Sequence, residues 1–234
     1  MKKFITFIFI VSFVTIQAQT SNFNALLQAN VDKQGNVDYK SLKASEAKLN
    51  NYLAYLNNTS PKNWSVDKEK AFWINAYNAY TIRIILNNYP LKSITGIKNN
   101  GKTAWKTPFA NVGGKTYTLD HIEHEILRKK FKDPRIHVGV NCASGSCPKL
   151  GNIAFTEDNV ESELERLMKE FINDPTRNKI SKKKVEISEI FNWFKVDFTA
   201  DGSVIDYINK YSEIEVNKKA KIKYLTYDWS LNEK

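Results

Sequence analysis

The chain has 234 residues, 42% of them apolar and 12% aromatic, with 35 Lys and Arg against 25 Asp and Glu. This composition excludes a disordered tail and a fibrous repeat, and it suits one globular fold with a sizeable core. The formal charge of +10 falls in short runs, Arg128-Lys129-Lys130, Lys182-Lys183-Lys184 and Lys218-Lys219, which read first as solvated surface.

Lys2 and Lys3 precede an apolar run of 13 residues, Phe4 to Ile16, and the polar segment Gln17-Ala18-Gln19-Thr20 follows. The run is too short to span a bilayer and has the flanks of a secretory signal, with Ala18 as the cleavage point. No cysteine lies nearby, so a lipoprotein anchor is not expected, and no later stretch is apolar enough for a membrane helix. The expectation is a signal peptide over 1–18 and one exported globular domain over 19–234, helical to about residue 60, soluble in the periplasm or outside the cell. Loss of Lys2 and Lys3 leaves +8 on that domain. Export takes nucleic acid off the list of partners and leaves a small molecule, a peptide or a glycan. An anionic envelope surface is a further partner that the basic runs would suit.

In chain order, Asn22 to Asn30 predicts a short helix, and Asp32-Lys33-Gln34-Gly35-Asn36 a turn with too few carboxylates for a calcium loop. Leu42 to Leu56 predicts a helix that Ser60-Pro61 stops. Ser65 then caps a helix whose first turn carries Asp67 and Glu69. Its body, AFWINAYNAYTIRIIL (71–86), is apolar almost all round, so it belongs at the centre of the fold. Asn75 and Asn78 share one face of it, and their buried amides either tie down backbone or line a site.

Beyond Tyr89-Pro90 a polar loop runs to Lys102, and Ala104 to Thr118 reads as extended, with a hairpin turn at Gly113-Gly114. Leu119 to Phe131 predicts a helix started near Thr118 or Asp120. RIHVGVN (135–141) alternates as a strand, with Ile136, Val138 and Val140 on one face and Arg135, His137 and Asn141 on the other. Thr156 to Ile172 predicts an amphipathic helix capped by Thr156. Lys179-Ser181 and Val185-Ser188 suggest a hairpin, 189–194 and 204–211 helical pieces, and 221–229 a closing strand. Without a βαβ rhythm this mixture argues an α+β domain, its central helix packed on a small, mostly antiparallel sheet.

All the thiol and imidazole chemistry lies between His121 and Cys147. On a wheel of 100° per residue Glu123 falls inside the apolar stripe of Leu119, Ile122 and Ile126, with His121, Glu125 and Arg128 opposite. A carboxylate aimed at the core must be paired, protonated or functional, and Arg135 and His137 are its nearest sequence candidates. With Cys142 as nucleophile, His137 as base and Glu123 or an asparagine to orient it, the cluster could act on acyl or amide bonds. Gly145, Ser146 and the loop amides would then offer oxyanion donors. Equally, Cys142 and Cys147 could close as a disulfide in an exported protein and staple a loop. A metal centre is not expected, because His121 and His124 lie away from the Glu123 stripe, and no cofactor is implied. Trp105, Trp193 and Trp229 could form a ligand platform or pack in the core.

Together AFWINAYNAYTIRIIL, LDHIEHEILR, DPRIHVGVNCASGSCPKL and YLTYDWSLN resemble the family called domain of unknown function 547, and VDKQGNVDYKSL resembles its opening segment. The resemblance runs from about Asn30 to Asn232. It marks Asn75, Asn78, Glu123, Arg128, Arg135, His137, Asn141, Cys142, Cys147 and Pro148 and implies one polar centre, without naming a reaction. Two functions follow as expectations: a thiol hydrolase or transferase, or a non-catalytic envelope module with a stapled loop.

Overall fold

The structure is a computed structural model that describes residues 19–234; the expected signal peptide lies outside the described residues. Residues 19–30 are helical. The turn that follows is closed by Asp32, whose carboxylate accepts the N–H groups of Gln34 and Asn36, each at 2.9 Å. Gly35 has φ +85° and lies so close to Lys149 that an added Cβ would meet Lys149 Cβ at 2.5 Å. The helix expected over 42–56 is two, Tyr39–Ala44 and Glu46–Asn58. They divide at Ser45, whose N–H is shared between the carbonyls of Ser41 and Leu42.

The central helix is Val66–Asn88, with the Ser65 hydroxyl accepting the Lys68 N–H and Asp67 and Glu69 in its first turn. Residues 70–82 are buried without interruption, as its all-round apolar sequence predicts. Glu46–Asn58 covers one flank, and the helices over 121–131 and 160–173 cover others. The fourth side meets a β-hairpin through ring contacts, Trp73 to Tyr117 at 5.5 Å and Tyr80 to Phe109 at 5.9 Å.

Among the described residues the strands form three small sheets. β1 (Lys98–Asn99) and β2 (Lys102–Thr103) turn at Asn100-Gly101, both with positive φ. That Asn-Gly pair is a tight-hairpin signature inside the segment read from sequence as loop. β3 (Ala110–Val112) pairs antiparallel with β4 (Lys115–Tyr117) about the expected Gly113-Gly114 turn. The segment leading in is not extended throughout, since Ala104–Lys106 forms a 3-10 turn. β5 (Lys179–Ile180) and β6 (Lys184–Ile187) make the expected hairpin, and β7 (Lys221–Tyr224) joins β6 in parallel. The fold is α+β, and none of its described helices is long and apolar enough to cross a membrane.

Two expectations need correction. RIHVGVN is not a strand: Ile136–Gly139 is a single helical turn, started by Asp133, whose carboxylate accepts the Arg135 N–H at 3.0 Å. Ile136, His137, Val138 and Gly139 are all buried, so the alternation does not separate a wet face from a dry one. Secondly, the amphipathic helix is Val160–Asn173 rather than 156–172. Thr156 and Asn159 instead close a turn before it, each side chain accepting the other's N–H.

Gly139 is pressed between helices, and a Cβ there would meet Leu164 Cδ2 at 2.9 Å and Ile74 Cδ1 at 3.3 Å. Gly139→Ala is expected to cost about 1–3 kcal/mol through overpacking, read as a lower midpoint in a denaturant melt.

Candidate active site

The helix over 119–131 sets the first wall of the site. Thr118 accepts the His121 N–H at 3.0 Å, and from His121 to Phe131 the helix is a π-helix. Hydrogen bonds closing five residues back put side chains four and five apart on one face, and such wide turns gather at functional sites. Glu123 and Leu127 are accordingly buried together. Arg128, five beyond Glu123, comes round to the same flank, where the 100° wheel had set it opposite.

Arg128 grips Asp197 with two bonds, Nε to Oδ2 at 2.6 Å and the second guanidinium nitrogen to Oδ1 at 3.0 Å. Its guanidinium also lies over the Phe194 ring at 4.8 Å. His137 is fully enclosed and stacks on the same ring, centroids 4.1 Å apart. Its Nε2 is 2.7 Å from Asp197 Oδ2. An ionised carboxylate only accepts, so Nε2 carries the proton. Burial holds the His137 imidazole below its ordinary range, against the pull of Asp197. Burial would raise Asp197, but the bonds from His137 and Arg128 outweigh it and hold the carboxyl far below the usual carboxylate range.

Glu123 therefore does not meet Arg135 or His137. Arg135 belongs to a separate cluster, bonded to Asp133 at 2.8 Å, Glu161 at 2.6 Å and Glu165 at 3.3 Å, with Lys70 between Asp133 and Glu161. The neighbours of Glu123 are the Tyr77 hydroxyl and His124 Nδ1, the latter at 4.0 Å. Burial pushes its carboxyl up.

The asparagines are braces. Asn75 clamps the backbone of Phe155 in both directions, and Asn78 accepts the Asn141 N–H while donating to Gly139 O at 2.8 Å. Asn141 passes the restraint on, donating to Pro148 O and accepting the Ala143 N–H, each at 2.9 Å. Ala143 is held at φ +57°, a strained conformation for a residue with a side chain. Cys142 thus sits just before a fixed left-handed turn.

The loop amides are already engaged. Gly145 N–H donates to Ser230 O at 2.7 Å and Ser146 N–H to Asp228 O at 3.1 Å, while the Ser146 hydroxyl accepts the Asp228 N–H. Cys147 N–H donates to Ser144 O. Gly145 and Ser146 are fasteners to the C-terminal segment and not oxyanion donors.

Both cysteines are free. The Cys142 sulfur lies 3.0 Å from the Ser144 hydroxyl and 3.3 Å from the Tyr227 hydroxyl, and the Cys142 N–H points at the Cys147 sulfur at 3.1 Å. Among the described residues no hydrogen bond joins Cys142 to His137. The hydrogen bond from the Cys147 thiol, with those of Ser144 and Tyr227, holds Cys142 below the ordinary thiol range despite burial. Burial, and then the Cys142 charge, push Cys147 far up. A negative sulfur is therefore stabilised at Cys142 alone.

Cys142, Cys147, Glu123, His124 and His137 line one cavity of about 200 Å³. Its mouth is aromatic. Trp229 lies 5.7 Å from both Trp193 and Trp105, and Tyr227 packs 4.6 Å from Trp229. The three tryptophans named from sequence thus meet at the thiol. His121 packs on Tyr117 elsewhere, and among the described residues no three His, Cys, Asp or Glu converge as metal ligands would. Sequence reasoning missed Asp197, Tyr227 and Ser144; a carboxylate between Phe194 and Phe198 in an aromatic segment was the available signal for Asp197.

Comparison with curated proteins and with solved structures gave no match. The model of the family described as "Protein of unknown function, DUF547" matches residues 61–172. This span holds Asn75, Asn78, Glu123, Arg128, His137, Asn141, Cys142 and Cys147, and ends before Trp193, Asp197, Tyr227 and Trp229. Over residues 61–172 the chain is thus similar to the DUF547 family of proteins of unknown function.

Proposed function

We propose that the protein is a thiol enzyme that transfers acyl groups, as a hydrolase or a transferase, with Cys142 as nucleophile. One observation carries this reading. The Cys142 sulfur lines a cavity, surrounded by groups that favour its thiolate, beside a buried carboxyl that favours its acid form. In the first step the thiolate attacks an ester or amide carbonyl and an S–C bond forms. The C–O or C–N bond then breaks, and Glu123 gives its proton to the departing oxygen or nitrogen. In the second step water, an alcohol or an amine attacks the thioester, returns a proton to the Glu123 carboxylate and releases the Cys142 thiolate. The hydroxyls of Tyr227 and Ser144, both beside the sulfur, are donors for the oxyanion in place of the occupied amides. His137, Asp197 and Arg128 are positioning residues that fix the wall behind Phe194. Incubation with an activated acyl ester, followed by peptide mapping, is expected to find the acyl group on Cys142; acylation spread over surface lysines would overturn the reading.

The close approach of Cys142 and Cys147 favours a second state, a disulfide that leaves a binding module without turnover. Intact mass with and without reduction separates the two. The reading also includes export, supported by the Lys2-Lys3 and Phe4 to Ile16 pattern. The secreted or periplasmic protein is expected to begin at Gln19, which N-terminal sequencing checks.

A further inference from the structure

The chain has 35 Lys and Arg, yet among the described residues none of them lines the cavity at Cys142. Its acidic groups are Asp120 at the wall and Glu123 within it, and the Nδ1 of His124, 4.0 Å from Glu123, is engaged by Arg128 at 3.2 Å. Glu123 is more than nine-tenths buried and is bonded to no lysine or arginine. Burial without such a partner keeps the carboxyl in the acid form that the acyl-transfer step uses. The nearest guanidinium on this flank, Arg128, is taken up by both oxygens of Asp197.

The aromatic walls supply the rest. Trp193 and Trp229 stack with planes 19° apart, Trp105 meets Trp229 edge-on at 74°, and Trp193 and Tyr227 rings lie 4.7 Å apart. Trp193 is 46% exposed, so the aromatic mouth opens to solvent. Ring faces attract cations through their quadrupole, and aromatic boxes with a carboxylate recognise alkylated ammonium groups. At about 200 Å³ the cavity suits one headgroup or side-chain end rather than a folded segment.

We infer that the cavity selects acyl compounds carrying an alkylammonium group, the cation resting against the rings of Trp229, Trp193 and Tyr227 while the carbonyl meets Cys142. This rests on the acyl-transfer reading for the reaction but not for the binding. Calorimetric titration of the full mature chain with choline is expected to give saturable binding. The uncharged carbon isostere of choline should bind more weakly by about tenfold, the charge being the difference between them. Choline is expected to bind Cys142→Ala as tightly as wild type, so a failed nucleophile assignment would leave this result standing. Trp193→Leu and Trp229→Leu should each weaken choline several-fold. Equal binding of choline and its isostere to wild type, or no binding of either, would overturn the inference without any variant.

Discussion

Cys142→Ala is expected to lower acyl transfer by on the order of a thousandfold or more, because a covalent route loses its nucleophile and the remaining groups only bind and orient. Folding should change little. The sulfur's bonds to Ser144 and Tyr227 are replaceable by bonds between those two hydroxyls, already 3.1 Å apart, so about 1 kcal/mol or less is at stake. A companion measurement is the pH profile of iodoacetamide labelling. The lowered thiol of Cys142 should give a midpoint below the ordinary cysteine value of about 8.5. Cys147→Ala removes the largest cause of that lowering and should move the midpoint up. Full turnover by the Cys142→Ala variant, or a labelling midpoint unmoved by Cys147→Ala, would remove Cys142 from the chemistry.

Asp197→Asn carries the largest expected effect on stability. The substitution keeps shape but leaves the Arg128 guanidinium without its counter-charge and His137 without a full acceptor. Losing one partner of a buried pair costs about 3–5 kcal/mol. Asp197 and Arg128 keep side-chain exposures of 22% and 25%, so a smaller loss of about 2–3 kcal/mol is expected from a chemical melt. The dependence on pH is specific. His137 titrates lower in the folded protein than in the unfolded chain, so its contribution is complete above about 6.5 and declines as pH falls below that. Asp197 is depressed from 3.8, so its contribution holds until about pH 4 and is lost on further acidification. Wild type should therefore lose stability in two acid steps. Asp197→Asn should show a smaller lower step, the part left belonging to other depressed carboxyls such as Asp133 and Glu161, and melts between pH 7 and 2 would show it.

How much of this was legible in the sequence depends on the distance over which each contact is made. Asn75 and Asn78 stood out because amides in an apolar helix need partners, and the partners are backbone groups of Phe155, Gly139 and Asn141. Glu123 stood out for the same reason. Its surroundings did not, because a wheel of 3.6 residues per turn cannot follow a π-helix, and Arg128 changed sides. The Ile136–Gly139 turn was misread because a short buried segment gives the same apolar pattern as a strand or a helix. Gly145 and Ser146 looked like donors because their acceptors, the carbonyls of Ser230 and Asp228, lie far along the chain. Asp197 is 60 residues from the histidine that it holds, beyond the reach of any local pattern.

The fastening of the cysteine loop to residues 228–232 also sets when the thiol is made ready. Tyr227 follows Cys142 by 85 residues, and Trp229 and the carbonyls of Asp228 and Ser230 come with it. A chain growing from its N-terminus presents Cys142 long before the hydroxyl, the aromatic mouth and the backbone clasp that surround it. Until residues 227–232 join the fold, Cys142 therefore lacks the Tyr227 hydroxyl beside its sulfur and the Trp229 ring of its cavity. Loss of residues 227–232 would open the surroundings of Cys142 while leaving every residue of the 61–172 segment in the chain.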